Sequence, residues 1–400
     1  MQPSNRPRIS NTHDDSVDIH WMKVAIEQAA LGRGYVEPNP MVGCVVVRNG
    51  EVISQGYHQV FGGPHAERVA IPESFDISDA TVYVTLEPCS HFGKTPPCAP
   101  YLVTKRPQRV VVAMQDPYSE VSGRGLQLLK DNGIDVTVGV CEEQARELNA
   151  PYLKRIHTKL PWTIAKWAMS LDGAIASASG DSKWITNAQS RNVVHEFRST
   201  LDAIVIGIGT ALADNPMLTC RLDEASHSSK PARIATRIVM DQHARLPIES
   251  RLVQSAREIP LWVVVGPNAN LDSRKQLEIA GAKVMQVGLI HESDHQETDE
   301  PVRFYEHSLT AMLQECGRHN FTNIMIEGGA KLLGQAFDAG CVDQIECFIA
   351  PKVIGNGIAP VGGIGKKWMR DVDNWRVVQS AIRDGDTHLT LRKPLETGSA

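Results

Sequence analysis

His65, Glu67, Cys89 and Cys98 are the side chains of this chain best suited to build a hydrolytic metal centre. One imidazole and two thiolates fill three positions of a tetrahedral zinc and leave the fourth open for water. Zinc lowers the pKa of such a water to about 7. Glu67 stands two residues from His65, well placed to take and return a proton rather than to bind metal. Gly62-Gly63-Pro64 leads into His65, and a proline directly precedes each cysteine, Pro88 and Pro97.

A structural zinc is the rival reading. It requires a fourth protein ligand, which Cys44 or His91 could supply. A structural site has no use for Glu67 or for the Gly-Gly-Pro lead-in, so the pattern favours a catalytic ion, one per chain. Cys44 lies in the apolar run Met41–Val47 and reads as a core thiol. H-x-E followed by P-C and a second cysteine is the pattern of zinc deaminases, where an activated water attacks an amidine-like ring carbon and ammonia leaves. Nucleic-acid base deaminases space the cysteines C-x-x-C. Here eight residues intervene, adding a loop that carries Lys94 and is stiffened by Pro96 and Pro97.

The elements that must hold these residues follow from periodicity. Ile19, Met22, Ala25, Ile26 and Ala29 recur at helical spacing, with Asp18 as a cap. Residues 44–47, Asn49-Gly50 and 52–53 form a hairpin with a tight turn. A helix starts at His65, with His65 and Glu67 in its first turn. A strand over 81–86 is stopped by Pro88, which delivers Cys89 at the strand end. A short helix after Cys98, a strand over 109–114, a helix over 125–132 and a strand over 134–138 complete an α/β layer pattern. Residues 141–160 read as a helical connector. Beyond it the second domain opens with the stretch 162–173, and further strands are expected at 203–208, 237–240, 261–265 and 323–326, with helices at 187–199, 309–317 and 331–339. The acidic stretch 291–301 reads as a loop.

Four hundred residues suggest two domains. A 42% hydrophobic and 22% charged composition is that of a soluble globular protein. A net charge of −5 without a long basic run argues against a nucleic-acid partner. No apolar run approaches the ~20 residues of a membrane helix. The first sixteen residues lack an apolar h-region and read as a disordered tail rather than a signal peptide. Eight cysteines, two of them in a metal motif, do not form a disulfide framework, and a reducing cytoplasm is expected. Homo-oligomerisation is left open.

A second chemistry is hinted at where the strand over 323–326 runs into Glu327-Gly328-Gly329-Ala330. Glycines at a strand-to-helix junction let backbone amides approach a phosphate, although such turns also serve packing alone. Gly207-Ile208-Gly209 lacks the third glycine of the Rossmann fingerprint.

The motifs Pro38-Asn39-Pro40-Met41-Val42-Gly43-Cys44, Gly63-Pro64-His65-Ala66-Glu67, Thr85-Leu86-Glu87-Pro88-Cys89 through Pro97-Cys98, and Met114-Gln115-Asp116-Pro117 closely resemble the RibD family, the bifunctional riboflavin-biosynthesis deaminase/reductases. Ser170-Leu171-Asp172-Gly173, Ser182-Lys183-Trp184-Ile185-Thr186 and Ala213-Asp214-Asn215-Pro216 extend the resemblance through the second half. It implies an α/β protein: an N-terminal cytidine-deaminase-like three-layer domain over 17–158 and a C-terminal dihydrofolate-reductase-like domain over 159–400. It implies zinc on His65, Cys89 and Cys98 with Glu67 as proton shuttle. Asn39, Lys94 and Asp116 match the family's substrate-holding positions. In the second domain it implies NADPH at Ala168, Trp184, Thr210, Asp214, Gln242, Gly329, Ala330, Lys331, Leu332, Leu333, Gly334 and Gln335. Gln242 stands where the family more often has Ser. Ser182, Arg198, Leu218, Arg221 and Glu327 face the sugar-phosphate substrate, and Lys166 is a candidate to position the sugar. Taken singly, Arg198 would read as an exposed helix residue and Trp184 as a core aromatic. Asp214 and Glu327 are candidates to protonate the ring oxygen.

The implied activity is deamination of 2,5-diamino-6-ribosylamino-4(3H)-pyrimidinone 5′-phosphate, then NADPH-dependent reduction of 5-amino-6-(5-phosphoribosylamino)uracil to the ribitylamino product. Two rivals are a nucleic-acid base deaminase and a non-catalytic zinc-stabilised binding protein. Negative charge and the Cys-x8-Cys loop count against the first, and Glu67 against the second.

Overall fold

The computed structural model describes residues 15–118, 122–221, 232–287 and 300–393, without the side chains of 300–307. The chain divides into two units, Met1–Ile156 and His157–Ala400. Residues 1–14 of the expected tail lie outside the described residues, and Asp15 and Ser16 already belong to the first helix. The expected loop at 291–301 lies outside them as far as residue 299, after which the chain is helical.

In the first unit the valine run forms β1 (Gly43–Arg48), buried along nearly its whole length. The Asn49-Gly50 turn, both residues at positive φ, joins it to β2 (Glu51–Tyr57) as an antiparallel hairpin. On its other edge β1 pairs antiparallel with β3 (Thr81–Val84). Then β4 (Arg109–Val112) and β5 (Asp135–Val138) follow in parallel, giving the order β2-β1-β3-β4-β5. Successive strand side chains point to opposite faces. Cys44, Val46, Val82 and Val110 therefore meet α2 (Ala66–Ala70), α3 (Cys98–Lys105) and α4 (Arg124–Asp131). Val45, Val47, Tyr83 and Val111 meet α1 (Asp15–Ala30), α5 (Glu142–Leu148) and α6 (Ala150–Thr158). The result is three layers, as expected.

Two expectations need correction. Asp18 is not a cap but an interior residue of α1, 3% exposed. Its two carboxylate oxygens accept from the Arg109 guanidinium at 2.9 and 2.7 Å, and the Tyr83 hydroxyl adds a bond at 2.8 Å. A buried carboxylate needs such partners, and this two-point pair fastens α1 to β4 and β3. The stretch 141–160 is not merely a connector either. Ala145, Tyr152 and Leu153 are core residues of the first unit. The buried Asn149 side chain accepts from the Met41 amide at 2.8 Å and donates to the Met41 carbonyl at 3.0 Å.

The second unit is a nine-stranded sheet. Its strands are β6 (Trp162–Ser170), β7 (Ala203–Gly207), β8 (Thr236–Met240), β9 (Leu261–Val265), β10 (Lys283–Gln286), β11 (Asn323–Glu327), β12 (Gln344–Ala350), β13 (Arg376–Arg383) and β14 (Asp386–Arg392). They lie in the order β10-β9-β8-β7-β11-β6-β12-β14-β13. The first seven in that order are parallel, and β14 and β13 close one edge antiparallel. The helices are α7 (Ala188–Arg198), α8 (Ile208–Asp214), α9 (Arg251–Gln254), α10 (Leu271–Ile279), α11 (Glu300–Arg318) and α12 (Ala330–Asp338).

Several of these elements escaped the sequence reading. In β12 the buried Gln344 and Glu346 interrupt the apolar pattern, because Glu346 is satisfied internally by His388 and Thr390 of β14 at 2.7 and 2.8 Å. Strand β13 is largely exposed and shows no apolar alternation.

Candidate functional site

Three separate local structures converge on the metal motif. His65 is the extended residue preceding α2, and Glu67 lies in the first turn of that helix. Cys89 follows β3 after the four non-strand residues 85–88, and Cys98 opens α3. The Cys98 amide donates to Cys89 Sγ at 3.4 Å, and His65 Nδ1 lies 3.4 Å from Cys89 Sγ and 3.5 Å from Cys98 Sγ. Ligand atoms around a tetrahedral zinc with its usual bond lengths stand about 3.5–3.8 Å apart. The three donor atoms all lie within 4.8 Å of one another, so the set fits a zinc ion. Among the described residues neither suggested fourth ligand joins them: Cys44 is core and His91 is exposed.

The two thiols are pushed in opposite directions: the hydrogen bond from Cys98, then that to His65, lowers Cys89, while the same contact and burial raise Cys98. Burial, then the neighbouring Cys89, raises the Glu67 carboxyl. Glu67 is 3% exposed, and it lines the same cavity as His65 and Cys89. A carboxyl with a raised pKa is suited to pass a proton back and forth.

The cavity measures about 340 Å³, and Asn39, Lys94 and Asp116 line it too. His58 Nδ1 faces the Pro64 carbonyl at 3.0 Å, and His58 Nε2 faces Asn39 Nδ2 at 3.2 Å. A carbonyl only accepts, so Nδ1 carries the proton and Nε2 accepts from the Asn39 amide. Burial, the largest influence on this ring, lowers its pKa and keeps it neutral. Asp116 accepts from the Tyr118 amide at 3.0 Å and the Tyr152 hydroxyl at 3.2 Å, and burial raises it. Lys94 Nζ sits 3.8 Å from the centroid of the Phe61 ring. Sequence reasoning missed His58, Tyr152 and Arg155, all of which line this cavity. His58 carries no motif, and the other two lie in the stretch taken as a connector.

Glu87 is another residue without a reading of its own, although it adjoins Pro88-Cys89. Its buried carboxylate accepts from the amides of Gly123 and Gly125 at 2.9 Å, and of Asp116 and Leu126 at 3.3 and 3.4 Å. It thereby ties the cysteine-bearing segment to the Asp116 loop and to α4. A Cβ on Gly125 would stand 1.9 Å from the Pro88 carbonyl oxygen, so the close approach requires glycine there.

In the second unit the carboxyl ends of β6, β7 and β11 open on a cavity of about 890 Å³, where open parallel sheets hold ligands. It brings together Ala168, Trp184, Thr210, Asp214, Gly329, Ala330, Lys331 and Leu332 from the expected cofactor positions. Lys166, Ser182, Arg198, Leu218 and Glu327 join them from the expected substrate positions. Thr210 Oγ1 accepts from the Gly329 amide at 3.2 Å, fixing the turn before α12.

Five of the expected positions stand apart from this lining. Leu333 is fully buried in the core, and Gly334 packs against the Gly362 backbone. Gln335 is buried along the same helix. Gln242 follows β8, and its carbonyl accepts from the Gly266 amide at 2.9 Å. Arg221 is exposed, and its amide donates to His195 Nδ1 at 3.2 Å.

Charge in this cavity is paired. Arg198 Nε and Nη2 each donate to a Glu327 oxygen at 2.7 Å. Burial, the largest single influence, would raise Glu327, but Arg198 together with Lys166 and His195 outweighs it and the carboxyl is lowered. Lys166 pairs in register with Glu327 across β6 and β11, and burial lowers its ammonium. Burial, then Arg198 and Arg221, pulls His195 down to about 4.

The family model "RibD C-terminal domain" matches residues 161–388, and "Cytidine and deoxycytidylate deaminase zinc-binding region" matches 15–114. The Riboflavin biosynthesis protein RibD of Actinobacillus pleuropneumoniae is 38% identical over 90% of this chain and 91% of its own. That of Escherichia coli K12 is 38% identical over 87% and 92%. Among solved structures, Acinetobacter baumannii RibD superposes with a TM-score of 0.79, at 32% identity over 95% of this chain and all of that one. A Thermotoga maritima diaminohydroxyphosphoribosylaminopyrimidine deaminase/5-amino-6-(5-phosphoribosylamino)uracil reductase does so at 0.77, with 31% identity over 96% of this chain and all of that one. With both halves in the same order and relatives aligned across nine-tenths of its length, the chain belongs to the RibD family of bifunctional riboflavin-biosynthesis deaminase/reductases.

Proposed function

We propose that the chain performs two successive steps on one pyrimidine nucleotide in the cytoplasm. The first unit deaminates 2,5-diamino-6-ribosylamino-4(3H)-pyrimidinone 5′-phosphate. The second reduces 5-amino-6-(5-phosphoribosylamino)uracil with NADPH, giving the ribitylamino product. The observation that carries the reading is the three-donor set of His65, Cys89 and Cys98, with buried Glu67 lining the same cavity as His65 and Cys89. Among the described residues no helix is long and apolar enough to cross a membrane.

When bound on those three side chains, zinc supplies the Lewis acidity that makes water nucleophilic near neutral pH. Glu67 takes the proton of that water and delivers it to the departing amine. His58 holds the Asn39 side chain by its Nδ2, which leaves Oδ1 to meet the donor edge of the pyrimidine. Asp116, anchored by Tyr152, faces the same ring or its sugar.

In the second unit NADPH, when bound against Ala168, Trp184, Thr210, Asp214 and residues 329–332, supplies the reducing equivalent for C1′ of the ribosyl group. Lys166 and the Arg198–Glu327 pair orient the sugar phosphate, and Ser182 and Leu218 line its other side.

The test is metal analysis with two assays on the full chain, following ammonia release from the diaminopyrimidine nucleotide and NADPH oxidation. About one zinc per chain, deamination without NADPH and reduction only after deamination are expected. A zinc-loaded protein that turns over neither substrate would sink the reading.

A further inference from the structure

We propose that Arg155 is the residue that grips the 5′-phosphate in the zinc cavity. The inference rests on the reading of that cavity as the nucleotide's deamination site. A phosphate monoester carries close to two negative charges at neutral pH. Three acidic residues, Glu67, Glu87 and Asp116, also line the cavity. Of its lining side chains Lys94 and Arg155 are the two with permanently cationic groups, the other basic side chains being the imidazoles of His58, His65 and His91.

These two cations are not equivalent. Lys94 is exposed on the loop between the cysteines, and its ammonium rests on the face of Phe61. Arg155 is half-buried on α6, one helical turn after Tyr152. Residues three apart share a helix face, and Tyr152 bonds Asp116. Tyr152 and Arg155 both line the cavity, so the guanidinium-bearing residue belongs to the wall that holds Asp116. A guanidinium fork matches two phosphate oxygens at once, and partial burial strengthens the contact. A packed helix holds such a group more precisely than a loop. The zinc motif therefore binds the base, and the helix closing the unit binds the far end of the nucleotide.

The test uses the zinc-loaded full chain with two substrates, the nucleotide and the same riboside lacking phosphate. Wild type should prefer the nucleotide. Arg155→Gln should lower kcat/KM for the nucleotide about ten- to a hundredfold, chiefly through KM, and affect the riboside far less. Inorganic phosphate should compete with the nucleotide in wild type and lose that effect in the variant. Zinc content and the thermal unfolding midpoint report on folding of the first unit. Should Arg155→Gln fold poorly, Arg155→Lys decides, because an ammonium lacks the two-point contact and should still cost several-fold on the nucleotide. Unchanged nucleotide preference in the folded variants overturns the proposal, as does a wild type that takes the riboside equally well. A wild type that deaminates neither substrate overturns the underlying deaminase reading instead.

Discussion

Arg198 and Glu327 form a two-point ion pair, each of two guanidinium nitrogens donating to its own carboxylate oxygen at 2.7 Å. Their side chains are 11% and 12% exposed. The pair joins the end of α7 to the end of β11, so the group expected to meet the substrate phosphate is also a structural clasp. Removing one partner leaves an uncompensated, nearly buried charge, at a cost of about 3 kcal/mol. Arg198→Ala and Glu327→Ala should each lower the urea midpoint and abolish reduction. The double variant should lose less stability than the two singles summed, which a double-mutant cycle reads directly. Strictly additive losses would mean that the two side chains do not act on each other.

Glu67→Gln keeps the size of the side chain and removes its proton-carrying role. Zinc content and thermal stability should stay near wild type while deamination falls about a thousandfold. Reduction of the deaminated intermediate should continue. Metal loss in this variant would show Glu67 to be a ligand.

His195 gives acid stability a specific slope. Its ring is pulled from the usual 6.5 to about 4 in the folded chain. Between those values the unfolded chain binds a proton that the folded chain refuses. Stability should thus fall as pH drops from 6.5 toward 4, and be unaffected by this group above that window. Protonation would also remove the acceptor for the Arg221 amide. Urea titrations of His195→Asn at several pH values should show a shallower decline than wild type. Parallel curves would assign the acid sensitivity elsewhere.

The two units should be separable catalysts. A chain beginning near Leu160 retains the whole nine-stranded sheet and the residues lining its cavity. It should oxidise NADPH when given the deaminated intermediate. A folded fragment that binds cofactor without turnover would show that the second site depends on the first unit.

What could be read from the sequence divides along a physical line. The zinc set was legible because metal chemistry demands particular side chains after recognisable turns, and Gly63-Pro64-His65 and Pro88-Cys89 announce both. The valine strands were legible because burial on both faces leaves an unbroken apolar run. Strand β12 was not, since Glu346 is buried against His388, a partner 42 residues away. Asp18 looked like a cap because its partner, Arg109, is 91 residues distant. His58 and Glu87 act through hydrogen bonds to the backbone or to Asn39, and such roles leave no pattern of residue types. Resemblance supplied the reductase positions, but periodicity alone would have made Leu333 the core residue that the structure shows.

Helices α5 and α6 have a consequence for how genes of this kind are cut and joined. A clone ending after β5 would keep His65, Glu67, Cys89 and Cys98 and the whole of residues 15–114 that the zinc-binding family model matches. It would nevertheless encode a cavity without Tyr152 and Arg155, and an Asn39 loop deprived of the Asn149 clamp on Met41. The first unit is therefore longer than its signature: the helix that carries Tyr152 and Arg155 runs to Thr158, and the first strand of the second sheet opens at Trp162.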